Sequence, residues 1–290
     1  MKVRKAVITA AGWGTRFLPL TKSLPKEMLP LLNKPLIQYS VEEAVACGVE
    51  LIIIVTSMGK RAIEDYFDRS PELERMLESR GENKQLAEIR RLSSMVDITY
   101  IRQTEQLGLG HAVLVAKELV GNEPFAVLLG DVIIPGPNPA TRQLVDVYEA
   151  TGLGAIAVED VPRAKTGLYG IVDVEPPSGT VSRTMKIRDM VEKPSPADAP
   201  STLAVTGRYV LPPEIFDCLE RTKPGRGGEI QLTDALRLLA KERGLLAYVY
   251  EGKSHDAGDK LGFLKATVEI GLENQEFGGE FREYLRSLKL

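Results

Sequence analysis

Between Ala10 and Pro30 the chain reads A-A-G-W-G-T-R-F-L-P-L-T-K-S-L-P-K-E-M-L-P, directly after a short apolar run, Ala6 to Thr9, that predicts a strand. Gly12 and Gly14 have no side chain to hold a ligand away, so their N–H groups can face phosphate oxygens. Arg16 and Lys26 add two cations, and Pro19, Pro25 and Pro30 keep the stretch extended or turning. A strand that runs into a glycine loop with two basic residues is what binding a triphosphate requires. A dinucleotide-binding loop would instead need a third glycine where Phe17 stands, a helix opening there, and an acidic residue about 20 positions on. The prolines exclude that helix.

Asp131 is the next group with chemistry to offer. It follows the apolar run Phe125 to Leu129, with Gly130 between giving close access. A carboxylate there suits Mg²⁺, which takes few ligands from protein and the rest from phosphate and water; capping a neighbouring loop is the plainer role. Gln103 and the G-L-G of residues 108–110 precede a helix expected at His111 to Val120. A side-chain amide offers both a donor and an acceptor, which suits a pyrimidine edge, and Gly108 lets backbone close on a base. With His111 and His255 the only histidines, a His-rich zinc site is excluded by count. Cys47 and Cys218 lie in apolar, helix-like surroundings and read as core residues, not nucleophiles.

The elements that must hold these residues alternate. Residues 33–35 open a helix that stops at Gly48, and Leu51 to Val55 is a continuous apolar strand of the kind buried on both faces of a parallel sheet. Strand, helix, strand is the unit of a right-handed crossover. Charged helices fill residues 59–94, strand Ile98 to Arg102 follows, and Asn138 is the expected N-cap of a helix with Pro139 at its first position. Strands are then expected at 155–159, 169–174, 185–192, 202–211 and 246–250, with a turn at 176–179 and helices at 212–221 and 230–243. From Lys260 the chain reads as helical, with Leu261, Leu264, Val268 and Leu272 on one side. The pattern predicts an α/β fold: a Rossmann-like, three-layer α/β/α, mainly parallel mixed sheet with an inserted β region. It reads as a single domain over 1–290, with a nucleotide half to about 150, a second-substrate half over about 151–260, and C-terminal helices. In open α/β sheets ligands bind beyond the carboxyl ends of strands, and the glycine loop, residues 103–110 and Gly130-Asp131 all fall at such ends.

The bulk numbers bound the rest. A net charge of −3 with mixed signs argues against a nucleic-acid partner. Two cysteines suggest no disulfide framework, and no run approaches the roughly 20 apolar residues of a membrane span. A cytoplasmic protein is expected.

The pattern G-x-G-T-R-x-x-P-x-T-K-x-x-P-K-E-M-L-P resembles the signature of the sugar-nucleotidyltransferases, and within them the uridylyl branch. The resemblance spans almost the whole chain. It implies joining UTP and α-D-glucose 1-phosphate into UDP-glucose and pyrophosphate, with Mg²⁺ as cofactor, and a homo-oligomeric chain. It assigns Ala11, Gly12, Gly14, Thr15, Gln103 and Gly108 to the nucleotide, and Arg16, Lys26 and Lys193 to catalysis. Gly170, Glu192, Lys193 and Gly207 fall to the sugar phosphate, and Asp131 to the metal. Asp256 is a second metal candidate, though it or Asp259 also stands where a helix cap is expected. The Glu192–Lys193 neighbours are expected on opposite faces of a strand, hence not a simple salt bridge. Residues 228–234 match the family pattern but are expected only to fix a helix start. Trp13 departs from the leucine the family places between the glycines. The rival readings are a thymidylyltransferase for the same sugar phosphate, since dTTP and UTP differ by a methyl and a hydroxyl, and a non-catalytic sugar-nucleotide sensor.

Overall fold

The computed structural model describes residues 1–175 and 183–288. The turn expected at 176–179 lies outside them. Among the described residues, nine strands form one sheet: β1 Lys5–Thr9, β2 Leu51–Thr56, β3 Asp97–Arg102, β4 Phe125–Leu129, β5 Gly154–Asp160, β6 Gly170–Val174, β7 Thr184–Glu192, β8 Leu203–Leu211 and β9 Leu245–Val249. Their order across the sheet is β3-β2-β1-β4-β8-β5-β9-β7-β6. The first four are mutually parallel, the doubly wound arrangement expected of the N-terminal half. β8 runs antiparallel between β4 and β5, and so joins the inserted β region to the same sheet.

Strand residues alternate between two cores, as a pleat requires. Val7, Ile53, Val55, Phe125 and Val127 pack with helices α5 Leu109–Val115, α8 Ile215–Arg221 and α9 Leu232–Glu242. Ala6, Ile8, Ile52, Ile54, Ala126 and Leu128 face the other way, against α1 Leu36–Ala46 and α7 Ala140–Thr151. Both faces of the central strands are thereby buried, which is why their sequences are continuous apolar runs. A smaller cluster of Phe17, Leu29, Leu31, Leu36 and Ile133 anchors the loop after β1 on α10 Lys260–Glu273 through Ala266.

Several expected boundaries move, each for a physical reason. Residues 33–35 do not open a helix: Lys34 and Pro35 pair with Pro30 and Leu31 in a tight hairpin, and α1 begins at Leu36. The helix expected at 111–120 begins at Leu109, where the Gly110 N–H finds the Ile230 carbonyl at 2.8 Å, and it breaks at Ala116 before the short α6 Lys117–Val120. Asn138 is not an N-cap. Pro139 flanks α7, and the Thr141 N–H donates to Glu43 Oε1 at 3.1 Å, so a distant carboxylate on α1 does the work of a local cap. The C-terminal segment divides into α10 and α11 Gly278–Ser287, and the side of α10 that carries Leu261 and Leu264 points outward, each being 61% exposed.

Candidate active site

β1 and β4 lie side by side in parallel, with Thr9 opposite Leu129. From β1 the chain winds one way to β2 and β3, while β4 lies on β1's other flank. This is a topological switch point, where a crevice opens beyond the carboxyl ends. The glycine loop leaves β1 into that crevice. The Ala10 N–H donates to the Val55 carbonyl at 2.8 Å and the Ser57 hydroxyl to the Ala11 carbonyl at 2.9 Å, tying the loop to β2. Gly14 has φ +66°, and a Cβ there would stand 3.1 Å from Thr21 Cγ2, so a glycine is demanded twice over. Around Gly12 a Cβ would meet nothing within 4 Å: the backbone there faces open space. Trp13 is 67% exposed on the wall of the same lobe of the cleft.

At the switch point Lys26 Nζ lies 2.6 Å from Asp131 Oδ2. Burial opposes the charge on Lys26, yet Asp131 and Glu27 outweigh it and hold its pKa above the ordinary lysine value. Burial likewise penalises ionised Asp131, and Lys26 reverses that, keeping the carboxyl below its ordinary range. Beneath them Glu27 is buried against Lys60, Nζ to Oε2 2.8 Å. Asp256 approaches Asp131 from a two-residue strand, His255–Asp256, that pairs antiparallel with Val132–Ile133. Oxygens of both aspartates stand 2.9 Å from the point a Cβ on Gly258 would occupy, so only glycine leaves the gap between them open. Burial raises the Asp256 pKa, helped by the charges of Asp131 and Asp259 and opposed by the Gly258 N–H. Two carboxylates converging on a glycine gap, one of them shifted upward chiefly by burial, form a donor set that fits a hard divalent cation with most of its shell open. Asp259 takes the capping role instead, its Oδ1 accepting from the Leu261 and Gly262 N–H groups at 2.9 Å.

On the far wall of the nucleotide lobe, Gln103 is buried at the end of β3. Its amide nitrogen meets the Gly108 carbonyl and His111 Nδ1, both at 3.0 Å, so the NH₂ group braces the loop. Gly108 has φ +94°, and a Cβ on it would stand 2.6 Å from that of Glu229. The 107–110 loop is therefore zipped onto residues 229–230, with the Ile230 N–H on the Leu107 carbonyl at 2.7 Å.

The second lobe opens between β6, β7 and β8. Glu192 ends β7, and its Oε2 accepts from the Thr233 hydroxyl at 2.6 Å. A Cβ on Gly170 would press within 3.0 Å of that hydroxyl and 3.2 Å of Glu192 Oε2. Gly207 sits at an irregularity of β8, φ +73°, where a Cβ would stand 2.7 Å from Leu129 Cδ1. Lys193 corrects an expectation. It lies just past the strand with φ +47°, which turns its side chain back, and its Nζ is 3.3 Å from Glu192 Oε1. The strand alternation that would separate the pair has already ended. Lys193 and Arg16 line this second lobe together with Asp256, and Arg16 Nη1 reaches the Gly258 carbonyl at 3.4 Å.

The two lobes meet at Leu109, Leu129, Asp131 and Glu229. Every residue that the sequence assigned to substrate, catalysis or metal lines one or the other. Three residues left out, Glu229, Gln231 and Thr233, line the second lobe, and Glu229 the first as well. Their stretch was legible as a match but not as a wall, because the contacts that fold it over residues 107–110 and onto Glu192 are long-range. Glu159, Thr206 and Ser254 also line the second lobe and were given no role from the sequence, being ordinary residues in or beside strands. Cys47 and Cys218 are buried and unpaired with each other, and burial pushes the Cys47 thiol up to about 12, which removes both from consideration as nucleophiles.

A parallel α/β switch point, a glycine loop with paired lysine and aspartate, and a second polar lobe opening beside it define a protein built to join a nucleotide to another small molecule. The chain belongs to the nucleotidyl transferase family, whose model matches residues 5–271. A UTP–glucose-1-phosphate uridylyltransferase of Staphylococcus epidermidis is 50% identical over 289 residues, covering 100% of this chain and 99% of the relative. One from Bacillus subtilis is 51% identical over 287 residues, covering 99% of this chain and 97% of its own. Among solved structures, UTP-bound UGPase from Acinetobacter baumannii matches with a TM-score of 0.91 at 44% identity, over 99% of this chain and 100% of that one. A UDP-glucose pyrophosphorylase complexed with UDP-glucose matches with a TM-score of 0.84 at 42% identity, over 94% of this chain and 100% of the other. The resemblance read from the glycine loop is borne out over the full length. Among the described residues no helix is long and apolar enough to cross a membrane.

Proposed function

We propose that this chain joins UTP and α-D-glucose 1-phosphate, releasing pyrophosphate and UDP-glucose. The observation that carries the reading is the pair of lobes meeting at Asp131, one lined by the glycine loop and Gln103, the other by Glu192 and Lys193. It is supported by relatives of that activity at half identity over their whole length. The nucleotide half would supply the first lobe, and the half beyond residue 150 most of the second.

The sugar-phosphate oxygen attacks the α-phosphorus of UTP in line, and pyrophosphate leaves. A phosphate monoester is already ionised at neutral pH, so no residue has to act as a covalent nucleophile. The work is positioning and charge neutralisation. Backbone N–H groups of Ala11, Gly12, Gly14 and Thr15 hold the nucleotide, and Gly108 closes on the base with Gln103 fixing its loop. Lys26 and Arg16 neutralise the departing phosphates, while Lys193 holds the sugar phosphate on the attacking side. Glu192 accepts from sugar hydroxyls, held for that task by Thr233, and Gly170 and Gly207 leave room for the ring. Asp131 and Asp256 would hold Mg²⁺, which supplies charge neutralisation to phosphate oxygens when bound. Two thiols buried in the core suit a reducing cytoplasm. A homo-oligomer is part of the same reading, supported by the apolar side chains that α10 turns outward.

The test is pyrophosphate release from purified protein with glucose 1-phosphate, Mg²⁺ and each of UTP, dTTP, ATP and GTP. A strong preference for UTP is expected. Preference for dTTP would move the chain to the thymidylyl branch with the same mechanism. Release with none, alongside tight binding of UDP-glucose, would make it a sensor and overturn the enzymatic reading.

A further inference from the structure

Arg208 is the largest fully buried side chain of the molecule's described residues, at 0% exposure. A guanidinium cannot shed its proton, so its burial demands partners for the charge and for its N–H groups. One partner is Glu43 on α1: Nε and Nη2 both approach Oε2, at 2.9 and 2.8 Å. The remaining bonds go to backbone. Nη2 donates to the Val132 carbonyl at 2.7 Å, and Nη1 to the carbonyls of Leu129 and Gly207 at 3.3 and 3.2 Å. Leu129 and Val132 are the two residues that bracket Gly130-Asp131. Val132 is also the residue that pairs with Asp256 across the short antiparallel ladder, and the Ala257 N–H donates to the Asp131 carbonyl at 3.0 Å. A single side chain thus fastens both ends of the turn that presents Asp131, and through Val132 the strand that presents Asp256.

We propose that Arg208 is a positioning residue for the two aspartates, a clamp beneath the cleft that touches neither substrate. The reading rests on the role given above to Asp131 and Asp256. The planar fork is what the geometry needs: two nitrogens reach two carbonyls that face the same point, which the single ammonium of lysine cannot reproduce. Glu43 completes the device. Its Oε1 accepts from the Thr141 hydroxyl at 2.6 Å as well as the Thr141 N–H, so the counter-charge is itself fixed by the first turn of α7.

The experiment compares wild type with R208K and with the charge-neutral double variant R208M/E43Q. Mn²⁺ binding is measured by electron paramagnetic resonance, beside kcat, the UTP KM and the thermal midpoint. The double variant removes both buried charges together and is expected to fold, since uncharged replacements of a buried pair are often tolerated. The proposal expects at least a tenfold weaker Mn²⁺ affinity in both variants, the scale typical of lost outer-shell partners. A comparable fall in kcat and a UTP KM within about threefold of wild type should accompany it. It also expects the double variant to regain the thermal midpoint without regaining metal affinity, which a purely structural role would not produce. Wild-type Mn²⁺ affinity in either folded variant would overturn it. Because Mn²⁺ binding needs no turnover, a failure of the uridylyl reading in the nucleotide panel would be seen separately.

Discussion

Lys26 and Asp131 spend their charges on each other, 2.6 Å apart, on the floor where the two lobes join. Each shifts the other's titration toward the charged form, so the pair is ionised across the neutral range. In the function proposed above, a triphosphate would offer Lys26 a second set of oxygens and a divalent cation would offer Asp131 a second partner; the ion pair keeps both groups charged and in place. Lys193 is placed otherwise. Its backbone is left-handed at φ +47°, a conformation that costs a non-glycine residue roughly 1 kcal/mol or more. That strain brings the ammonium back over Glu192 at the mouth of the second lobe. Replacing Lys193 by alanine is expected to lower kcat/KM by about 100-fold, the scale of one lost charge-stabilising donor, while UTP binding measured by calorimetry stays within a few-fold. Activity retained within tenfold would remove Lys193 from the reaction.

At the scale of elements, the site depends on helices that never reach it. α1 carries Glu43, the counter-ion of Arg208, and α7 carries Thr141, which fixes Glu43. A separate assembly, α3 Pro71–Ser79 and α4 Asn83–Leu92, is closed by Glu74, which receives two bonds from Arg69 at 3.0 and 2.7 Å and one from Arg90 at 3.0 Å. Those bonds lower the Glu74 pKa from 4.5 to about 2. A carboxyl depressed in the folded state stabilises fully above its unfolded value, and the contribution fades as pH falls through the folded value. The difference in thermal midpoint between wild type and E74Q is therefore expected to be largest above pH 4.5, to shrink as pH falls below it, and to vanish only below about pH 2. A difference independent of pH over that window would show that the charge has no part in it.

At the scale of the whole molecule, one continuous sheet carries both lobes. β8 connects them: it pairs with β4, which ends at the aspartate turn, and with β5, which borders the second lobe. Glu192 and Asp131 are thus held by one rigid platform, as precise placement of two substrates requires. The outer surface is less self-contained. Leu261 and Leu264 stand 61% exposed on α10, and Tyr284 59% exposed on α11. Light scattering on the purified chain, of 31.8 kDa per copy, is expected to give a multiple of that mass, and L261D/L264D a single copy with kcat changed less than about threefold. A monomeric wild type would leave those leucines without the partner proposed for them.

What the sequence determined by itself was whatever physics enforces locally. A run such as Leu51–Val55 must be buried on both faces, and a glycine loop after a strand must present bare N–H groups. Asp131 and Gln103 were legible because their chemistry sits at strand ends, Lys26 because it is a cation in the proline-punctuated loop, and Glu192 only through the family resemblance. Tertiary structure alone decided what depends on residues far apart in the chain. Glu43 replaced Asn138 at the start of α7 because a buried carboxylate needing donors lies beside it only in the fold. Thr233 became a wall of the second lobe because α9 packs on β7. Gly207 was given a place in the site and its neighbour Arg208 was given none: a buried cation is meaningful only through its partners, and beyond the adjacent Gly207 carbonyl those of Arg208 come from residues 43, 129 and 132, which no local pattern brings together.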